Sequence, residues 1–346
     1  MSTYVDWEFA KAAAARVVPP GPRIGAHEAA AEVEAIREAA RAAYTPVAET
    51  ARLNTPAGAA PALVVDRRGW IAANVDSLAA LVDPAISKAV EGRPAPSAAV
   101  AAVGSRMTGA EVGGLLAFMA GKVLGQYDLA PQGEPQLLLV APNIVEVAGE
   151  LDIDRDDFRM WVCLHEETHR VQFTAVPWLR EHLVGRARDL AVDLTPDVQA
   201  VGDLAKRITQ RLPEVLSGAG TGLVDLFLTA EQRAEVAELT AVMSLLEGHA
   251  DVVMDDVGPA YVPSVAQIRA KFSHRRQGAG AADRLLRRLL GLEAKMRQYA
   301  EGAAFVRGVQ ELVGVDGFNA VWSSPQTLPQ PEEIADPAAW VSRVHG

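Results

Sequence analysis

Cysteine is almost missing from this chain of 346 residues. Cys163 alone can form neither an intramolecular disulfide nor a thiolate metal cage, so sulfur does not staple the fold and a reducing compartment suits it. Aromatic residues make up only 5% while alanine is abundant, a mix that favours close-packed helices over a sheet sandwich. Positive charge is in the minority. Lys and Arg number 33 against 44 Asp and Glu, a net charge of −11, which argues against binding a phosphate backbone. The densest basic spots, HRRQ at 274–277 and LRRLL at 286–290, read as solvated helix faces. No apolar run reaches the roughly 20 residues of a membrane span. The most apolar stretch, VGGLLAFMAGKVLG at 112–125, contains Lys122 and reads as a buried helix. The first residues, MSTYVDWEFAK, lack the basic start and apolar core of a signal peptide, so the expected location is the cytoplasm. At 49% hydrophobic and 22% charged, the composition also excludes a disordered chain.

What is present is mostly helical periodicity. Residues 26–50 repeat Ala, Val, Ile and Tyr at three- and four-residue steps between Glu and Arg, the pattern of an amphipathic helix. Residues 52–73 are broken by Pro and Gly and fit small strands or helix entries equally well. One or two buried helices are expected over 98–127. A strand is expected over 136–144, QLLLVAPNI, either in the core or as an edge on which an extended peptide could lie. Asp154 can cap a helix whose first turn holds Asp156 and Asp157 and which Pro177 stops. A further amphipathic stretch follows from Trp178. The glycines in 213–227 suggest a mobile loop, and Thr229 with Gln232 forms a capping box opening a long helix closed by Gly258 and Pro259. Helical sequence resumes over 264–311, and the proline-rich tail, SSPQTLPQPEEIADPAAW, is expected to run extended along the surface.

The chemistry is concentrated in the helix that Asp154 opens. His165, Glu166, Glu167, Thr168 and His169 spell H-E-x-x-H, and at about 100° per residue the two histidines leave one helix face and can grip one ion. Imidazole suits zinc, which lowers the pKa of a bound water toward 7, and Glu166 stands beside the first histidine as a general base for that water. A catalytic zinc site needs a third protein ligand. Glu247, in LLEGHAD on the long second helix, is the preferred candidate, with Asp251 one turn on as its outer-shell partner to a histidine. Gly248 beside it would allow the H-E-x-x-H helix to approach closely. His249 competes, but lies about 200° around the helix from Glu247. Tyr261 and His274, with Arg269 and Arg275, are weaker candidates for an oxyanion donor. Cys163 reads as a buried structural thiol; Phe158, Trp161 and Phe173 read as packing; Glu167 reads as a solvated or outer-shell carboxylate. His27, His182 and His345 read as surface or satisfied polar residues.

With WVCLHEETHRVQF, PWLREH and LLEGHADVVMD, the chain resembles a zincin-like family of hydrolases known from actinobacteria. VDWEFA, VVDRRGWIAANVDS, VLGQYDLA, VAPNI, DFRMWVCLHE and FNAVWSSPQTLPQPEEIADPAAWVSRV extend the resemblance over nearly the whole chain. It implies a mainly α, zincin-like fold with a small β element and His165, Glu166 and His169 as the family's motif. Glu247 matches the third ligand position, and E-x-x-x-D at Glu247 and Asp251 matches the zincin glutamate class. Some members carry a label of association with deazaflavin-coenzyme biosynthesis. The chain has no glycine-rich phosphate loop or dinucleotide motif.

The expectation is therefore one zincin-like unit, with an N-terminal helical part to about 130, a metal-site core over about 131–260 and a C-terminal part beyond. It would bind one Zn²⁺ and hydrolyse a peptide or protein substrate, with no nucleic-acid or membrane partner. The rival expectation is a non-catalytic metalloprotein whose zinc holds helices together for a binding or scaffold role, distinguished by a closed fourth coordination position.

Overall fold

The computed structural model describes residues 4–55, 61–92, 97–130, 132–193, 228–277 and 292–346. The fold is mainly α. Among these residues lie eleven α-helices and one three-stranded sheet: α1 (Trp7–Val17), α2 (Ala26–Ala51), β1 (Leu63–Val65), α3 (Arg67–Ala89), α4 (Ala98–Ala120), β2 (Gly125–Asp128), β3 (Gln136–Val140), α5 (Ala141–Glu150), α6 (Arg155–Ala175), α7 (Pro177–Asp193), α8 (Ala230–Tyr261), α9 (Val265–Gln277), α10 (Leu292–Phe318) and α11 (Pro337–His345). No described helix is long and apolar enough to cross a membrane. The expected loop at 213–227 falls outside the described residues.

The chain divides into two compact units, each assembled from separate segments. One comprises Met1–Arg180 and Val253–Phe272, the other Glu181–Val252 and Ser273–Gly346. In the first unit the sheet order is β1-β3-β2, with β1 parallel and β2 antiparallel to β3. β3 is thus the central strand, not an edge. Its alternation explains the position: Leu138 and Val140 pack with Trp70, Ile71 and Leu116, while Leu139 joins the cluster of Ile36, Phe158, Val162 and Leu164. A strand apolar on both faces belongs between two layers. It ends at Val140; Pro142 near the start of α5 favours helix, so Ala141–Ile144, expected in the strand, is helical.

The helix α6 starts as its sequence specifies. Asp154 accepts from the backbone N–H groups of Asp156 and Asp157, each at 3.0 Å, and Asp157 in turn accepts from the Ser264 N–H ahead of α9 at 2.8 Å. Its Cys163 side is packed on α2: the thiol is fully buried beside the Ile36 carbonyl, and burial pushes its pKa well above the usual value. Arg155 and Arg159 pair with Glu32 across the same contact.

In the second unit the capping box at α8 is present in both directions: the Thr229 N–H donates to Gln232 Oε1 at 2.9 Å and the Gln232 N–H to Thr229 Oγ1 at 3.2 Å. The helix runs to Tyr261, past the expected stop at Gly258 and Pro259. The C-terminal segment corrects a larger expectation. It is folded through three short 3₁₀ turns, at Asn319–Trp322, Pro325–Thr327 and Glu333–Ala335, into α11. Trp340 is fully buried and donates to the Thr327 carbonyl at 2.8 Å, while Arg343 reaches Glu333 and the carbonyls of Gln326 and Leu328. Proline here shapes tight turns around a tryptophan anchor, because burying that indole outweighs the loss of backbone donors.

Candidate metal centre

The i, i+4 spacing on α6 sets the geometry of the histidine pair. His165 Nε2 and His169 Nε2 lie 3.3 Å apart with the rings nearly perpendicular, at 88°. Two zinc–nitrogen bonds of about 2.05 Å spanning a tetrahedral angle of about 109° place their nitrogens about 3.3 Å apart, so the pair fits this ion. His165 and His169 are half-buried on α6 in the first unit, and Glu247 is half-buried on α8 in the second. Two imidazoles on one helix face are donors suited to zinc.

His169 is oriented by a residue that the reading of the sequence passed over. Its Nδ1 lies 3.0 Å from Oε1 of Gln172, a fully buried side chain one turn on. An amide oxygen can only accept, so Nδ1 carries the proton and Nε2 keeps its lone pair for a metal. The signal was available, since H-x-x-Q puts both residues on one helix face.

Glu166 is buried, at 7% exposure, and its side chain lies against β2 at Gly125. Of the two expectations for Glu167, a solvated carboxylate or one supporting the site from outside, burial excludes the first. Glu167 is fully buried and forked with the Arg170 guanidinium, which itself lies over the Tyr44 ring at 5.4 Å. Burial pushes the Glu167 carboxyl up to about 7, with Arg170 pulling the other way.

The remaining candidates lie on α8 and α9. His249 is buried at 1% exposure and stacks on Phe318 at 5.4 Å, with Trp322 edge-on. Helical geometry turns it away from Glu247, as two residues are about 200° apart. Asp251 is half-buried one turn beyond Glu247 on α8. Gly248 packs on α10, where a Cβ would overlap the backbone of Gly302 and Ala303. Tyr261 is exposed at the end of α8. His274 lies on α9. Phe158 and Trp161 stack on each other and on Phe272 as packing residues, and Phe173 stacks on Tyr127 of β2.

Comparison with curated proteins finds no match. Among solved structures the chain is similar to one from Chloroflexus aurantiacus, presented as a candidate hydrolase with a novel fold, at 31% identity and a TM-score of 0.68 with 99% of each chain covered. Residues 5–341 match the family described as zincin-like metallopeptidase. A match that runs through nearly every element above, around a helix that pairs two histidines at metal-chelating distance, means that this chain belongs to the zincin-like metallopeptidase family.

Proposed function

We propose that the protein is a zinc-dependent hydrolase of peptide bonds. The observation that carries this reading is the pair of Nε2 atoms 3.3 Å apart on α6, the helix that also carries Glu166. His165, His169 and Glu247 would hold one Zn²⁺, with Asp251 supporting a histidine from outside. When bound, zinc supplies Lewis acidity that polarises a scissile carbonyl and acidifies a water. Glu166 takes the proton of the attacking water and returns it to the leaving amine nitrogen. Gln172 holds His169 in the tautomer that leaves Nε2 able to bind metal. An extended peptide fits the outer strand β2, which among the described residues pairs with β3 alone, by strand addition at its other edge. The lone buried cysteine suits a cytoplasmic setting.

The test is elemental analysis of wild type, His165→Ala, Glu247→Ala and Glu166→Gln, each assayed with a quenched mixed-peptide library. About one zinc per chain in wild type and Glu166→Gln, lost in both ligand variants, is expected. Cleavage should appear in wild type and fall by at least about 100-fold in Glu166→Gln. Full activity in Glu166→Gln would refute the mechanism. Stoichiometric zinc without cleavage would favour a structural metal.

A further inference from the structure

β2 presents alternate side chains to opposite layers. Gln126 and Asp128 face α3: the Trp70 indole donates to Gln126 at 2.9 Å, Gln126 donates to Asn74 at 3.2 Å, and Ser77 donates to Asp128 at 2.8 Å. Gly125 and Tyr127 face α6. Tyr127 stacks on Phe173, with ring centroids 5.4 Å apart, and Gly125 meets Glu166 two turns earlier on the same helix. A Cβ built on Gly125 would stand 2.6 Å from Cγ, 2.7 Å from Cδ and 2.9 Å from Oε1 of Glu166. These are distances that real carbon contacts do not tolerate. The space that the missing side chain leaves is the space that the Glu166 carboxylate fills.

Resting on the hydrolase reading above, we propose that Gly125 is a positioning residue for Glu166: by having no side chain, it lets the proposed general base lie flat against β2. A methyl group there must displace either the strand or the carboxylate. The strand is held by one ladder, one face and its following turn. It pairs with β3 from Gly125 to Asp128, its α3-facing side chains are hydrogen bonded, and Arg180 ties the following turn through the carbonyls of Leu129, Ala130 and Gly133. The carboxylate, by contrast, ends a side chain with three rotatable bonds, so it is the part that yields. Nor does alanine strain the backbone at this site, because Gly125 does not occupy the left-handed region. Alanine at 125 therefore leaves the fold and the histidine pair in place and moves Glu166 alone.

The experiment compares crystal structures, zinc content and turnover of wild type, Gly125→Ala, Glu166→Gln and the double variant, with Gly149→Ala on α5 as a control where a Cβ meets nothing within 4 Å. Expected in Gly125→Ala are a rotated Glu166, an unmoved β2, full zinc and a kcat about 100-fold lower with KM little changed. The same substitution in the Glu166→Gln background should cost no further activity, because the group it acts through is already gone. Glu166 unmoved, or β2 displaced with zinc lost, would overturn the positioning role and leave the hydrolase reading standing. Zinc-loaded wild type that cleaves nothing would overturn both.

Discussion

Gln172 offers the sharpest quantitative handle on the centre. Replacing it with methionine keeps nearly the same volume inside α6 and removes the oxygen that accepts from His169 Nδ1 at 3.0 Å. Two consequences follow from the structure. The imidazole loses the partner that fixes its tautomer and raises the basicity of Nε2, and outer-shell losses of this kind weaken metal binding about 10- to 100-fold, or about 1.4–2.7 kcal/mol. In the metal-free protein, His169 Nδ1–H loses its acceptor in a half-buried place, which costs about 1 kcal/mol of fold stability. The assays separate the two: competition for zinc with a chromophoric chelator reads the first, and urea unfolding in EDTA reads the second. Gln172→Glu, which keeps an acceptor and adds charge, should hold zinc at least as well as wild type. If Gln172→Met bound zinc within about 2-fold of wild type, the hydrogen bond would not orient the ligand and the argument from tautomer would fail.

Two further outcomes probe the second unit. Gly248→Ala should destabilise it by about 1–3 kcal/mol or more, because its Cβ would meet the backbone of α10 rather than a movable side chain. Gly185→Ala on α7, where a Cβ meets nothing within 4 Å, should instead gain up to about 1 kcal/mol from helix propensity; chemical unfolding of both variants checks the pair. Glu333 supplies a pH signature. Burial pushes its carboxyl up, but the Arg343 guanidinium and the Gln330 N–H outweigh this and hold it below the ordinary value. A depressed folded pKa adds stability above the unfolded value of about 4.3, lost as the pH falls through the lower folded value. The advantage of wild type over Glu333→Gln in thermal unfolding should therefore be full at pH 6 and shrink progressively on acidification. A constant difference from pH 6 to pH 3 would show that the ion pair does not govern it.

The parts of the site written in adjacent residues were readable before any fold. The cap at Asp154, the capping box at Thr229 and Gln232, and the facing of His165 and His169 all follow from hydrogen bonds and side-chain directions within one or two helical turns. Gln172 is equally local, three residues beyond His169 on the same helix, but lies outside the motif. The tail departs from its local pattern for a non-local reason. Proline content describes which backbone shapes are open to a segment, whereas the burial of Trp340 depends on partners such as Phe305 that lie far along the chain.

What the amino-acid order determined by itself is thus the helical class, the H-E-x-x-H face and the residue types able to hold zinc, since a helix fixes neighbours at i+3 and i+4 through its own backbone. Tertiary structure alone decided that β3 is central, that His249 turns into an aromatic niche, and that Gly125 meets Glu166, 166 − 125 = 41 residues away. Those outcomes depend on which surfaces are buried against each other, and strand order and close approach are settled by non-local packing that no local period encodes.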